Sequence, residues 1–206
     1  MLVLIDSVRD AALGCLLCFQ HVGSQSTRMP LLTKVLIGKG SGRTSVLELG
    51  AGCGIVGIAL AQCFSNCVVQ LTDMVESQDL LCKNLDQATP APGSSLRCQV
   101  LEWNNGAGAI TSLGGEVNLV VVSDCIYNAD SCPDLVRTLS RISSGSPSVR
   151  ILVAVKRRHE SEDIFFDLMR DAEIQLLERT TIYLPHEISD LDVQSPKVEL
   201  YLYGSE

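Results

Sequence analysis

The stretch Val46–Gly57, VLELGAGCGIVG, constrains this chain more than any other. An apolar run, Ser45–Leu49, breaks into the glycines of Gly50–Gly54, and Ile55–Cys63 then continues as an apolar helical pattern. A strand, a tight turn and a helix start follow one another. Glycine lets such a turn take positive φ and lets backbone approach a ligand, while the helix start aims its N–H groups at that ligand. The chain is thereby directed to an α/β fold with a ligand site at the carboxyl ends of its strands.

The rest of the sequence keeps the alternation. Cys67–Leu71, Leu96–Leu101, Val117–Val122 and Ile151–Val155 read as strands, and 5–20, Glu76–Gln87, Pro133–Ile142 and Ser161–Asp171 as helices. Residues 22–44 read as a connector rich in Gly, Ser and Thr around a short apolar patch, Leu31–Ile37. Glu173–Arg179 and Val198–Tyr203 read as two final strands with no helical pattern between them, an antiparallel, hairpin-like ending at one edge of the sheet. The near-continuous apolar strands fit a mainly parallel sheet covered on both faces. With 206 residues, of which 46% are hydrophobic, the chain is expected to form a single domain over 1–206. Residues 1–44 would be an N-terminal helix and connector, and 45–206 the core.

Charge and cysteine usage narrow the partners. Sixteen Lys+Arg against 24 Asp+Glu give a net charge of −8, which disfavours a phosphate backbone and so a nucleic-acid partner. No run approaches the ~20 apolar residues of a membrane span. The opening MLVLIDSVRD lacks the basic start and sustained apolar stretch of a secretory signal. Nine cysteines, an odd number and several within apolar runs, read as buried free thiols of a reducing compartment. The one CxxC, Cys15 to Cys18, has no second pair and no metal-spaced histidine, so it reads as core and no metal is expected. A cytoplasmic protein, with the nucleus as a second location, is the expectation.

The glycine turn admits two readings. Gly52-x-Gly54-x-x-Gly57 matches a dinucleotide fingerprint. Glu48-x-Gly50-x-Gly52-x-Gly54 is an acidic variant of the same turn. A pyrophosphate gains nothing from a carboxylate two residues before the first glycine, whereas a cationic ligand does. S-adenosylmethionine carries a sulfonium and an ammonium and no phosphate, so Glu48 favours it over a nicotinamide cofactor. Asp73 ends the second strand, where an acid can accept from both ribose hydroxyls or cap the following helix. Trp103, the only tryptophan, follows the third strand, where it can lie against an adenine or cover the core. Ser123-Asp124-Cys125-Ile126-Tyr127 leaves the fourth strand at the same edge, placing an acid and an aromatic where a cationic amine would fit. Lys156-Arg157-Arg158-His159 after the fifth strand is the densest positive cluster, a solvated strand end or a contact for an acidic substrate segment.

Taken together, Val46–Gly57, Asp73, Leu101-Glu102-Trp103 and Ser123–Tyr127 resemble the seven-β-strand, class I S-adenosylmethionine-dependent methyltransferases. Within them the chain is similar to methyltransferase family 16, which includes protein-lysine methyltransferases of chaperones and translation elongation factors. The Asp-x-x-Tyr at Asp124 and Tyr127 is the most specific element. The resemblance implies a Rossmann-like, seven-stranded, mainly parallel sheet with an antiparallel C-terminal edge strand and helices on both faces. It implies S-adenosylmethionine as cofactor and S-adenosylhomocysteine as product. Glu48, Gly50 and Gly52 would cradle the methionine moiety, Asp73 the ribose, Trp103 the adenine, and Ser123 would line the cofactor. Asp124 and Tyr127 would border the acceptor amine as the catalytic pair.

The expected activity is thus N-methylation of a lysine in a chaperone- or translation-factor-like protein by a monomeric enzyme. In this reading Asp124 is too weak a base to take the lysine proton. It orients the amine, the proton leaves through water, and Tyr127 shapes the slot. Two departures from the family pattern motivate an alternative, a non-catalytic binding module on the same fold with a weakened cofactor site. Arg9 stands where the family carries an aromatic in the first helix, and the chain starts too late for the family's N-terminal hairpin.

Overall fold

The computed structural model describes residues 10–23, 29–38, 42–105, 116–158, 162–184 and 196–205. In chain order they form α1 (Asp10–Gly23), α2 (Pro30–Ile37), β1 (Thr44–Leu49), α3 (Ile55–Cys63), β2 (Cys67–Asp73), α4 (Gln78–Asp86), β3 (Ser95–Val100), β4 (Leu119–Ser123), α5 (Cys132–Gly145), β5 (Arg150–Val155), α6 (Asp163–Asp171), β6 (Gln175–Tyr183) and β7 (Lys197–Gly204). The strands build one seven-stranded sheet in the order β3-β2-β1-β4-β5-β7-β6. β1 to β5 run parallel, and β7 is antiparallel to both β5 and β6. The two C-terminal strands form an antiparallel pair, as expected, in which β7 alone runs against the other six strands. Within it β7 lies one place in from the edge, and β6 takes the edge itself.

Val, Ile and Leu fill both faces of the central strands and give the sheet two cores. Val46, Val69, Leu119, Val121 and Leu152 point to the layer of α1, α2, α3 and α4. Leu47, Leu49, Val120, Val122 and Val153 point to the layer of α5 and α6. Asn118, the polar residue that precedes β4, takes part in the sheet with its side chain, which accepts from the Ser45 N–H at 2.9 Å. Cys15 and Cys18 lie in the α1 core, and all nine cysteines are free.

The expected helix over 5–20 is described from Asp10 onward, and Arg9 lies outside the described residues. Within the connector read over 22–44, the apolar patch Leu31–Ile37 forms the helix α2. Pro30 stands in its first turn, where a missing N–H costs nothing, and Leu32 and Leu36, one turn apart, are buried. Among the described residues no helix is long and apolar enough to cross a membrane.

The register explains where a site can form. Leu49 lies opposite Thr72 of β2 and Val122 of β4, and Asp73 lies opposite Val100 of β3. Gly50, Asp73, Leu101 and Ser123 consequently leave the sheet side by side at its carboxyl edge.

Candidate active site

Glu48 is the penultimate residue of β1 and is 2% exposed. One of its carboxylate oxygens accepts from the Gly57 N–H at 2.9 Å. Gly54, the residue that opens α3, has no side chain to cap it, so Glu48 satisfies a first-turn N–H from below. A Cβ on Gly57 would stand 2.5 Å from that oxygen. The third glycine of the apparent dinucleotide fingerprint is thus space for Glu48. Burial pushes the Glu48 carboxyl up to about 8, opposed by the Gly57 N–H and reinforced by the nearby Asp73 carboxylate.

The turn itself is pinned from β2. Ala51 N–H donates to the Thr72 carbonyl at 3.0 Å. The Thr72 hydroxyl donates to the Glu48 carbonyl at 2.7 Å. Asp73 accepts from Gly52 N–H at 2.6 Å with one oxygen and from Met74 N–H at 2.7 Å with the other. It ties the glycine turn to the end of β2; no side-chain hydrogen bond caps the short helix that follows, so the capping role considered for Asp73 is absent. Gly50 and Gly52 have φ of +65° and +56°. Gly50 is covered by the Cys125 sulfur and the Trp103 ring, whereas nothing lies within 4 Å of a Cβ built on Gly52.

Trp103 covers the core, its ring packing on the side of α5, and it also lines the cavity above Gly50. Cys125, to which sequence reasoning gave no role, sits beneath the turn and donates its thiol toward the Leu49 carbonyl at 3.4 Å. Burial, with Glu48 and Asp73 close by, pushes its thiol well above the ordinary range, so it is a neutral donor and no nucleophile. The Ser123 hydroxyl oxygen is buried, lies beside the Cys15 thiol, and makes no hydrogen bond of ordinary geometry among the described residues. Asp124, at φ +57°, is buried, and both its oxygens are engaged by the Arg158 guanidinium at 2.8 and 3.2 Å. Tyr127 is 61% exposed at the rim.

All eight residues singled out from the sequence line one cavity of about 740 Å³, a size in the range of small-molecule sites. Six acidic side chains face it, those of Glu48, Asp73, Glu76, Glu102, Asp124 and Asp134, and no Lys, Arg or His does among the described residues. Ala12 of α1 closes one wall. Glu76, Glu102 and Asp134 had no motif to mark them. The positive cluster after β5 is not an open patch. Lys156 pairs with Asp10, Arg157 with Asp163 and Arg158 with Asp124; His159 lies outside the described residues. No group of metal-ligating side chains occurs among the described residues.

A sheet of this order, with one antiparallel strand inserted beside β5 and a glycine turn at its carboxyl edge, defines the class I methyltransferase fold. It is similar to the magnesium protoporphyrin IX methyltransferase of Synechocystis PCC 6803 solved with bound S-adenosylmethionine, with a TM-score of 0.57, 14% identity, and 100% of this chain and 86% of that one covered. More narrowly, the chain belongs to the lysine methyltransferase family, whose model matches residues 8–172. A Schizosaccharomyces pombe UPF0665 family protein, C23C4.06c, is 31% identical over 121 residues, covering 59% of this chain and 36% of that protein. The Danio rerio protein N-lysine methyltransferase METTL21A is 29% identical over 141 residues, covering 63% of each. This chain thus spans less than two thirds of the length of either relative.

Proposed function

We propose that this chain, as one methyltransferase domain, transfers a methyl group from S-adenosylmethionine to the side-chain amine of a lysine in another protein. The observation that carries the reading is the sign of the cavity. Its wall holds six acidic side chains and no cationic one among the described residues; burial keeps a proton on Glu48 below about 8 and Arg158 offsets Asp124, so Asp73, Glu76, Glu102 and Asp134 set the sign. Such a wall repels the pyrophosphate of a dinucleotide and favours a sulfonium, an ammonium and a lysine. Membership of the lysine methyltransferase family supports the same reading.

The residues fit the cofactor. When bound, S-adenosylmethionine supplies an electrophilic methyl group on its sulfonium. The open face of Gly52 admits the methionine moiety, framed by Gly50 and by Glu48 beneath. The Asp73 oxygens each retain a lone pair for a ribose hydroxyl, having each accepted one backbone N–H. Trp103 offers a ring face to the adenine, and Ser123 lines the wall beside it.

Asp124 and Tyr127 border the acceptor. Lysine titrates near ~10.4 in the free state, so the amine must shed a proton before it can act as a nucleophile. The Asp124 carboxylate, already gripped by Arg158, orients the amine and does not receive that proton, which passes to water. Tyr127 shapes the slot at the rim. The substrate is a chaperone- or translation-factor-like protein, and the enzyme works as a monomer in the cytoplasm or nucleus, in keeping with nine free thiols.

The test is thermal unfolding with S-adenosylmethionine, S-adenosylhomocysteine and NAD in parallel. Ligand at ~100 times its dissociation constant stabilises by ~2.7 kcal/mol. Both adenosyl ligands are expected to raise Tm and NAD to leave it unchanged, after which labelled methyl groups should appear on a protein lysine. A folded sample that responds to none of the three overturns the proposal in favour of a non-catalytic binding module.

A further inference from the structure

We propose that Arg158 is a positioning residue, which fixes the Asp124 carboxylate in the orientation the acceptor amine meets. The inference rests on the function proposed above and adds a residue to it.

Asp124 is placed by the sheet. Ser123 is paired with Ala154 of β5, and the Asp124 N–H donates to the Ala154 carbonyl at 3.0 Å. The chain then turns through φ +57°, an uncommon conformation for a residue with a side chain, and folds the carboxylate against the end of β5. Arg158, three residues beyond β5, meets it there with two parallel N–H···O bonds of 2.8 and 3.2 Å. The Asp124 side chain is 6% exposed and that of Arg158 34%. A carboxylate so deeply buried is costly unless paired, and a two-pronged guanidinium pairs it in a single plane.

Arg158 is itself held. Its backbone N–H donates to the buried Glu162 carboxylate, 3.2 Å from either oxygen. Its neighbours Lys156 and Arg157 are tied to Asp10 of α1 and Asp163 of α6. The segment after β5 therefore clamps the Asp124 turn and the first residue of α1 to one strand end. The hydrogen bonds to Asp124 also raise the Arg158 pKa, so the guanidinium stays charged. Asp124 lines the cavity and Arg158 does not. The guanidinium acts through the carboxylate and makes no contact with what the cavity holds.

The pairing has a chemical consequence. An unopposed buried carboxylate would hold a lysine as its ammonium and resist loss of the proton. With its charge offset by Arg158, Asp124 can direct the amine without trapping it in the charged form.

The experiment compares R158Q, R158K, D124N and the double variant R158Q/D124N in the full chain. S-adenosylhomocysteine is expected to raise Tm equally in wild type and R158Q, showing that the fold and cofactor site persist. Methyl transfer should fall about ten- to a hundredfold in kcat in R158Q, as for a misplaced reacting group, with KM for S-adenosylmethionine unchanged. R158K should recover part of the loss, since lysine keeps the charge and lacks the fork. In the D124N background R158Q should cost little more, because the residue it acts through is already altered. Full turnover in R158Q, or losses that simply multiply in the double variant, would overturn the role assigned to Arg158 while leaving the methyltransferase reading intact. A wild type that binds the adenosyl ligands and methylates no protein would overturn both. In that case a denaturation cycle on wild type, R158Q, D124N and R158Q/D124N would still show whether the pair is coupled, as a purely structural contact.

Discussion

The Glu48 carboxylate accepts the Gly57 N–H at 2.9 Å, joining the end of β1 to the first turn of α3 beneath the glycine turn. One contact thus sets the strand, the helix start and the floor of the cavity. It also explains why position 57 holds the smallest side chain. In G57A the added methyl would lie 2.5 Å from the Glu48 oxygen and 2.9 Å from the Leu71 side chain. Forcing a methyl group into a packed core costs about 1–3 kcal/mol. G57A is expected to lose that much unfolding free energy, read as a lower urea midpoint, and to lose the Tm response to S-adenosylhomocysteine. A variant as stable and as responsive as wild type would mean that Glu48 moves aside freely.

Glu48 also gives the protein a pH signature. Burial raises its carboxyl to about 8 from an ordinary value of 4.5. Between those two values the folded state keeps a proton that the unfolded state has released. The contribution of Glu48 to stability is therefore full below pH 4.5, declines as pH rises, and is lost above about 8. E48Q cannot ionise. Wild type should lose stability relative to E48Q as pH rises from 5 to 8, read by urea unfolding at several pH values. Parallel profiles would place Glu48 in a wetter setting than its 2% exposure implies.

Asp73 makes a different prediction, because its carboxylate serves the turn and faces the cavity at once. D73N keeps an acceptor and loses the charge, while D73A also strands the Gly52 N–H. Hydrogen bonds to a charged group contribute about 1.5–3 kcal/mol, so D73A should weaken S-adenosylmethionine binding by roughly ten- to a hundredfold. D73N should fall between D73A and wild type. Calorimetric titration measures this. Unchanged affinity in D73A would remove Asp73 from the cofactor site.

The parts of this molecule that were legible in the sequence are those written locally. The apolar strands, the turn at Gly50–Gly54 and the acids at strand ends each follow from neighbouring residues, and a parallel sheet then sends them to a common edge. α2 was obscured because its flanks are rich in Gly, Ser and Thr; Pro30 with Leu32 and Leu36 one turn apart was the signal that could have found it. The partner of Asp124 could not be read, since Arg158 reaches it only through the β4–β5 register. For the same reason the Lys156–Arg158 run reads from the sequence as either a solvated strand end or a contact for an acidic segment, whereas each of its side chains pairs with an acid distant in sequence or across a loop. The role of Gly57 was hidden by a motif that matched for another reason.

Gly50 and Gly52 both adopt left-handed φ, so alanine at either costs roughly 1–2 kcal/mol in backbone strain. Their surroundings then separate them. A Cβ at Gly50 meets the Cys125 sulfur at 2.7 Å and the Trp103 ring at 3.2 Å, so G50A carries a packing penalty on top of the strain and should be the less stable of the two. A Cβ at Gly52 meets nothing within 4 Å and projects into open space on the cavity wall. G52A should therefore fold with only the strain cost, yet block the space assigned to the methionine moiety. Thermal unfolding without ligand is expected to rank wild type above G52A above G50A. Addition of S-adenosylhomocysteine should raise Tm in wild type and leave G52A unmoved. A G52A variant that binds the adenosyl ligand as tightly as wild type would place the methionine moiety elsewhere in the cavity.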